Sequence, residues 1–393
     1  MRIIYVGAFR FPKYDAAAAR VLNNARALRA CGHDVEIISW GGQFEDNSKR
    51  HGEFDIYDGF RYTITGELDI NWGFVAKVKN RLNRGGKTIE LLEEMGESPD
   101  LIIAYNPDLL FNYRLKCFSS NRGIKFANDI TEWSDKNELR IIERITNAIN
   151  LKYFTHKINN RIVISSFLKE YYTDGNSIVV PATYDEKEPK WQQGVAVAKE
   201  RVGGFDGITL IYAGNPARKD AVHHAINAVQ RLIDEGANIR FLIVGAEREP
   251  YQRTYADLLT KKDLSEKIMF LGRVPQDVVP SYYALADFMV LLRESTRKSN
   301  AGFPTKFAES FASSTPVIAN LTSDLGRYLF QGNTGFVVDK PTEQSVYETI
   351  KTKVLGLSSD KIEQMKRNVK QEAKRLDYHH YVESLRQFIE NLQ

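Results

Sequence analysis

The stretch Ile208-Thr209-Leu210-Ile211-Tyr212-Ala213-Gly214-Asn215-Pro216-Ala217-Arg218-Lys219-Asp220 begins as a short apolar run and ends in a turn carrying two cations. A run of that length, closed by Gly and Pro, reads as a strand buried on both faces rather than as a helix. The unit recurs downstream as Ile239–Val244, Ile268–Leu271, Phe288–Leu292, Val317–Ala319 and Phe336–Val338, with helical stretches between. Upstream, Arg2–Ala8, Val35–Trp40, Leu101–Tyr105, Ile124–Ala127 and Arg161–Ile164 form an earlier series. Ala16–Ala30 is an Ala-rich helix with Gly32 where a C-cap belongs. Short apolar strands alternating with helices imply parallel sheets covered on both faces. The fold class is therefore α/β, with two doubly wound Rossmann-like domains facing a cleft. The polar stretch Asp185–Phe205, broken by Pro189, reads as the linker and its flanks. The expected division is a first domain over 1–186, a linker over 187–205 and a second domain over 206–376. A C-terminal helix over 377–393 carries Tyr381, Leu385, Phe388 and Leu392 on one face. That face packs within the second domain or back on the first.

Composition narrows the function. The chain has 393 residues, 43% hydrophobic and 26% charged, which is ordinary for a folded protein of about two domains. Lys plus Arg is 54 and Asp plus Glu 50, a net charge of +4. That is too even for a dedicated nucleic-acid binder. Cys31 and Cys117 alone exclude a disulfide scaffold and a four-cysteine zinc site, and fit a reducing cytosol. No export-type leader is expected, and no run approaches the ~20 apolar residues of a membrane span.

Familiar nucleotide motifs fail. The turn expected after the first strand, Gly7-Ala8-Phe9-Arg10-Phe11-Pro12, lacks the spaced glycines of a dinucleotide fingerprint. Gly86-Lys87-Thr88 resembles a P-loop end, but Arg81 stands where the first glycine belongs. The neighbours His223-His224 and His379-His380 point apart on a helix and do not make a metal pair. The informative segment is Asn300-Ala301-Gly302-Phe303-Pro304-Thr305-Lys306-Phe307-Ala308-Glu309-Ser310. Pro304 suits the first turn of a helix, whose unpaired N–H groups and positive dipole end suit a phosphate. Glu309, about a turn further in, is placed to accept hydrogen bonds from ribose hydroxyls. The plainer reading is a helix start with a surface glutamate. Arg218 and Lys219 at a strand's carboxyl end suit a diphosphate, or simply form a solvated basic turn. Arg273, in Gly272-Arg273-Val274-Pro275, reaches the same edge, where the loop backbone can read a base; otherwise it is a surface arginine.

In order and spacing, several segments resemble the donor domain of GT-B glycosyltransferases of the family 4 type. They are Tyr212-Ala213-Gly214 with Arg218-Lys219, Phe241–Gly245, Phe270–Pro275, Tyr282–Asp287, Gly302-Phe303 with Glu309–Ala312, and Pro316–Ala319. The helix to Leu28 followed by Gly32-His33-Asp34-Val35 is similar to that family's opening element. The resemblance implies retaining transfer from a nucleotide diphosphate sugar with no metal required. It implies Lys219 on the diphosphate, with Arg218, Gly214 and Asn215 beside it. It further implies Glu309 on the ribose, and backbone amides around Phe303, Pro304 and Thr305 on phosphate oxygens. The departing phosphate oxygen would take the acceptor's proton. The sequence departs from the family at Ala301, where a first glutamate belongs, so that Asn300 takes over or the sugar is held differently; Gly302 remains among the donor-binding candidates. It departs again at Asn215, where an arginine belongs, and at Asn128-Asp129, where a histidine often follows the fifth strand.

The acceptor side is expected in the first domain. Asp129 and Glu132 are candidates to orient the sugar or the acceptor, or else they cap the next helix. Arg10, Lys13, Tyr14 and Asp15 lie in a loop at the cleft edge, or in an ordinary mobile loop. Asn71–Ile89 holds Trp72, Phe74, Lys77, Lys79, Arg81, Arg84 and Lys87 with no acidic residue. Trp72–Lys87 would suit an anionic membrane surface and a lipid-linked acceptor, or packing on its own sheet. The function expected is sugar transfer to a glycan or lipid-linked acceptor in bacterial surface polysaccharide synthesis, in the cytoplasm or at the inner membrane face. Alternatives are a non-catalytic nucleotide-sugar-binding or scaffold protein, and a nucleotide-sugar epimerase.

Overall fold

The computed structural model describes residues 1–13, 15–68, 83–133, 141–216, 220–261 and 263–393. They form two units, one of Met1–Thr183 with Tyr378–Gln393 and one of Tyr184–Asp377.

The first unit holds an eight-stranded sheet in the order β3-β4-β2-β1-β5-β6-β7-β8. In chain order these are β1 Arg2–Phe11, β2 Asp34–Gly42, β3 Phe54–Tyr57, β4 Phe60–Ile64, β5 Leu101–Tyr105, β6 Lys125–Ile130, β7 Asn160–Val163 and β8 Asn176–Val179. All pair in parallel except the β3–β4 hairpin. Alternation along β1 feeds two cores. Ile3 and Tyr5 join the cluster under the helix Ala16–Ala30, while Ile4 and Val6 join the one under the helix Leu109–Arg122. β1 continues to Phe11 with a register shift between Gly7 and Arg10. Gly7–Phe11 is thus extended strand, where a turn was expected, because Phe9 and Phe11 are buried core residues. The C-terminal helix Val382–Glu390 packs in this unit, burying Leu385, Phe388 and Ile389 with Val21, Ala25 and Leu28.

The second unit holds a parallel six-stranded sheet in the order β11-β10-β9-β12-β13-β14. Its strands are β9 Ile208–Ala213, β10 Ile239–Val244, β11 Ile268–Phe270, β12 Phe288–Leu291, β13 Val317–Ala319 and β14 Gly335–Val337. Leu210, Tyr212, Phe241 and Ile243 pack with Val222, Ile226 and Val229 of the helix Val222–Asp234. The alternate residues Ile211, Leu242 and Met289 are buried on the other face. Within the polar stretch 187–205 lies a short helix, Ala196–Val202, whose Ala198 amide donates to Ser281 Oγ at 3.2 Å. No helix among the described residues is long and apolar enough to cross a membrane.

Candidate functional site

In the second unit, three strands run out into glycines at their carboxyl ends. Gly214, Gly245 and Gly272 have φ of +129°, +106° and +63°. Backbone bonds stitch these turns together: Gly214 N–H donates to Val244 O at 2.8 Å and Gly245 N–H to Gly272 O at 2.7 Å. A Cβ on Gly245 would sit 2.5 Å from Gly214 O, and one on Gly214 would collide with Lys306 Cε. The dihedral angle demands glycine at both positions, and at Gly245 the facing backbone demands it as well. The result is a rim of bare backbone to which a ligand can come close.

The helix Thr305–Ala312 points its start at this rim. Pro304 stands at its N-cap with φ −72°, and no side chain caps it. The first helical N–H groups have no acceptor within the helix, which leaves a partial positive charge there. Phe303 fixes the approach: its ring is 5% exposed and meets Phe307 and Tyr328 edge-on. Lys306 Nζ donates to Asp220 at 2.7 Å, and Arg293, just past β12, lies 3.4 Å from the same carboxylate. Asp220 is fully buried and also accepts from the Tyr212 hydroxyl at 2.6 Å. Burial alone would push its carboxyl up, but Lys306 and Arg293 together hold it below the ordinary aspartate value.

Glu309 lies on the same helix, partly buried, with no hydrogen bond to its carboxylate among the described residues. Burial pushes its carboxyl above the ordinary glutamate value against the pull of Lys190 and Lys306. The Tyr283 hydroxyl, close enough to feel that charge, is buried without a partner. A half-buried carboxylate at the edge of a cationic helix start can accept hydrogen bonds from ligand hydroxyls.

The other expected residues fall in several places. Arg218, Lys219 and Tyr14 lie outside the described residues, as does most of Trp72–Lys87. The described end of that segment is no continuous helix, because Gly85 has φ +75° and a new helix, Gly86–Glu94, starts after it. There Lys87 Nζ donates to Thr65 O at 3.1 Å and Arg84 pairs with Asp108. Asn215 and Arg273 are exposed on the glycine turns. Asn300 spends its amide oxygen on Ser323 N–H at 2.9 Å and one N–H on Ser295 Oγ at 3.4 Å, leaving one N–H to offer a sugar. Ala301 is fully buried.

In the first unit, Asp129 does not face solvent. It is fully buried, paired with Arg20 at 2.7 Å, and accepts from the Tyr5 hydroxyl. Its carboxylate is committed to holding the fold rather than presented to a ligand or capping a helix. Asp15 caps the helix Ala16–Ala30, accepting from Ala18 N–H at 2.8 Å, and also accepts from Arg10 N–H at 3.2 Å. Glu132 is exposed just past β6.

Asp220, Lys306 and Arg293 were not singled out from sequence. The signal existed for Arg293, a charge directly after a buried strand, as for Arg218. Nothing in the sequence reveals that Lys306 and Arg293 share Asp220. Among the described residues, no group of three or more His, Cys, Asp or Glu is placed to hold a metal ion.

Comparison with known proteins bears on the same unit. Residues 201–375 match the family model described as glycosyl transferases group 1. An alpha-D-kanosaminyltransferase of Streptomyces kanamyceticus is 24% identical over 143 residues, 36% of this chain and 35% of that protein. A 2-deoxystreptamine glucosyltransferase of the same organism is 28% identical over 113 residues, 29% of this chain and 27% of that protein. The chain thus spans about a third of the length of these curated relatives. Among solved structures, sucrose-phosphate synthase from Thermosynechococcus elongatus has a TM-score of 0.76 at 15% identity, covering 99% of this chain and 98% of that one. Anabaena Alr3699/HepE, in complex with UDP, has a TM-score of 0.70 at 14% identity, covering 100% of both. The α/β fold of two mostly parallel sheets is the GT-B fold, shared with these structures.

Proposed function

We propose that this chain is a glycosyltransferase that moves a sugar from a nucleotide diphosphate sugar, with retention and without a required metal, to a glycan or lipid-linked acceptor. The observation that carries this reading is Glu309: a half-buried carboxylate, one turn inside a helix that starts at a cationic glycine rim, within the segment that matches the glycosyl transferases group 1 model. Glu309 accepts hydrogen bonds from the ribose hydroxyls of the donor. The backbone at Gly302, Phe303, Pro304 and Thr305 approaches the phosphates, with Gly214 and Asn215 across the rim and Arg273 beside the base. Lys219 and Arg218 meet the negative charge that grows on the diphosphate as the sugar–phosphate bond breaks. Fixed positive groups aimed at developing charge are the strongest device an active site of this kind has. The departing phosphate oxygen takes the acceptor's proton on the face the sugar leaves. Asn300 contributes its remaining N–H to the donor sugar in place of the family's first glutamate. The acceptor is met by Tyr14, Asp15 and Glu132. A cytoplasmic protein touching the inner membrane face through Trp72–Lys87, in bacterial surface polysaccharide synthesis, fits this assignment. The names of the relatives and the UDP held by the Anabaena neighbour support the donor class.

One observation favours a second reading. Ala301 is fully buried and carries no group for a donor-sugar hydroxyl, as in a protein that binds a nucleotide sugar without turning it over. Calorimetric titration with UDP, GDP, ADP, CDP and dTDP, on the wild type and Glu309→Gln, tests the donor site. Binding of one nucleotide, weakened by the substitution, supports the assignment. Turnover of the matching nucleotide sugar only in the presence of an acceptor then separates the enzyme from the binding protein.

A further inference from the structure

We infer that the cleft at the amino ends of β9, β10 and β12 is a carbohydrate site, which takes a neutral oligosaccharide at the edge of the second sheet opposite the glycine rim. It uses none of the residues of the donor reading and stands or falls apart from it. The cleft has a volume of about 760 Å³, within the ~300–1,000 Å³ of small-molecule sites. β9 is six residues long, so roughly 17 Å of strand separates this edge from Gly214. At the mouth, a Cβ on Gly204 would meet nothing within 4 Å, so the approach is open.

Two charged groups line this cleft with hydrogen-bonding capacity to spare. Arg240 is 5% exposed. Its Nε donates to Thr209 Oγ1 at 2.9 Å, and its Nη1 to the carbonyls of Val202 and Gly203 at 3.0 and 3.2 Å. Nη2 has no acceptor among the described residues, whereas a buried guanidinium normally spends its whole fork. Asp287 stands just before β12 and accepts from Thr209 N–H through Oδ2 at 2.7 Å, with no second donor to its carboxylate among the described residues. Burial pushes that carboxyl above the ordinary aspartate value, against the pull of the Thr209 amide, Lys366 and Arg240. Thr209 therefore holds the cation by its side chain and the carboxylate by its backbone. The two feel each other's charge without forming an ion pair.

The lining selects the class of ligand. A donor and an acceptor held apart on one residue suit a group that both accepts and donates, and a hydroxyl is such a group. Three carboxylates, Asp206, Asp287 and Glu363, stand against two cations, Lys199 and Arg240, so phosphates and other anions gain nothing here. A wholly apolar ligand would strip water from Arg240 and Asp287 without replacing its hydrogen bonds. Yet Phe205, Leu285, Leu357 and Ile362 make part of the wall apolar. A pyranose meets all of these conditions: it is uncharged, its rim carries hydroxyls and its faces are C–H. The volume holds more than one such ring, which favours the run of an oligosaccharide over a single sugar. Arg240 also fixes the mouth, because the carbonyls it binds belong to the turn that leads into Gly204 and Phe205.

The test is saturation-transfer NMR and titration calorimetry of the full chain with four neutral trisaccharides: maltotriose, cellotriose, mannotriose and triacetylchitotriose. At least one should bind the wild type. Asp287→Asn keeps an oxygen for Thr209 N–H but removes the charge, and should weaken that sugar by ~10-fold or more, the usual scale of a lost charge-assisted bond. Gly204→Leu removes no hydrogen-bonding side chain and fills the mouth, so it should abolish binding with an unaltered melting curve. If Asp287→Asn does not fold, by circular dichroism, Gly204→Leu carries the test alone. Glu309→Gln should leave trisaccharide affinity as it was. A wild type that binds none of the four overturns the site. Binding that survives Gly204→Leu, or that falls with Glu309→Gln instead, places the sugar elsewhere and overturns it equally. Titration of the same variants with the five nucleoside diphosphates keeps the two readings separate. Trisaccharide binding lost in Gly204→Leu, in a wild type that takes no nucleotide, would uphold the cleft and defeat the donor reading.

Discussion

Arg20 and Asp129, 109 positions apart in sequence, meet as an ion pair at 2.7 Å with side chains 3% and 0% exposed. Arg20 spends its remaining donors on the carbonyls of Val180 and Pro181, at 2.7 and 3.0 Å. One guanidinium thereby ties the helix Ala16–Ala30 to the end of β6 and to the chain leaving β8. Removing one partner of such a pair strands a buried charge. Asp129→Ala should therefore cost about 3–5 kcal/mol of stability, read from urea melts. A loss of activity with unaltered melting would instead return Asp129 to the ligand side.

Glu309 links binding to pH. Its folded-state carboxyl is raised above the ordinary value, burial outweighing Lys190 and Lys306. Between the unfolded and the folded value the native state binds more protons, so its contribution to stability falls as pH rises through that window. Acceptance of ribose hydroxyls works the other way and weakens as pH falls through the raised value. Nucleotide affinity should drop on acidification before an ordinary glutamate would titrate, and Glu309→Gln should lose both affinity and that pH dependence. Calorimetry across a pH series decides it.

Gly245→Ala should be harmful on two counts. Its φ of +106° strains any residue with a Cβ, and the added carbon meets Gly214 O at 2.5 Å. The expected cost is about 1–3 kcal/mol, seen as a lowered melting point, together with weaker nucleotide binding. A variant as stable and as tight-binding as the wild type would show that the rim yields.

Lys219→Ala tests the leaving-group assignment. Loss of a desolvated phosphate contact should lower turnover by the equivalent of ~2–4 kcal/mol. Steady-state rates with saturating donor measure it, and full activity would remove Lys219 from the mechanism.

Leu385→Ala should destabilise the first unit by about 2–5 kcal/mol, since Leu385 is fully buried among Val21, Ala25 and Leu28. Denaturant melts monitored by tryptophan fluorescence supply the number.

Strand–helix alternation was legible because strands such as β5 are continuous apolar runs and others, such as β10 with Arg240, are broken at a single position, and because Asp15 caps the start of the Ala16–Ala30 helix. The β3–β4 hairpin was passed over although Asp58-Gly59, with φ of +51° and +75°, is a two-residue turn signal. β3 is four residues long and mostly half-exposed, so its alternation is faint. The candidate site was legible only as far as strand ends and helix starts could be read. Position along a strand says which edge Asp129 reaches, but not that a helix brings Arg20 onto it. Likewise Lys306 and Asp220 stand 86 residues apart, and only the folded sheet brings them together.

The first unit is built from two pieces of chain, 1–183 and 378–393, with all of the second unit made between them. On the ribosome, therefore, the earlier-made part of the first unit waits with a bare apolar face while residues 184–377 emerge and fold as a unit. Only then do Leu385, Phe388 and Ile389 arrive to cover it. That interval is when nascent chains are most exposed to aggregation and most in need of a chaperone. Polar substitutions on the uncovered faces of Val21 and Leu28 would trade final stability for safer synthesis.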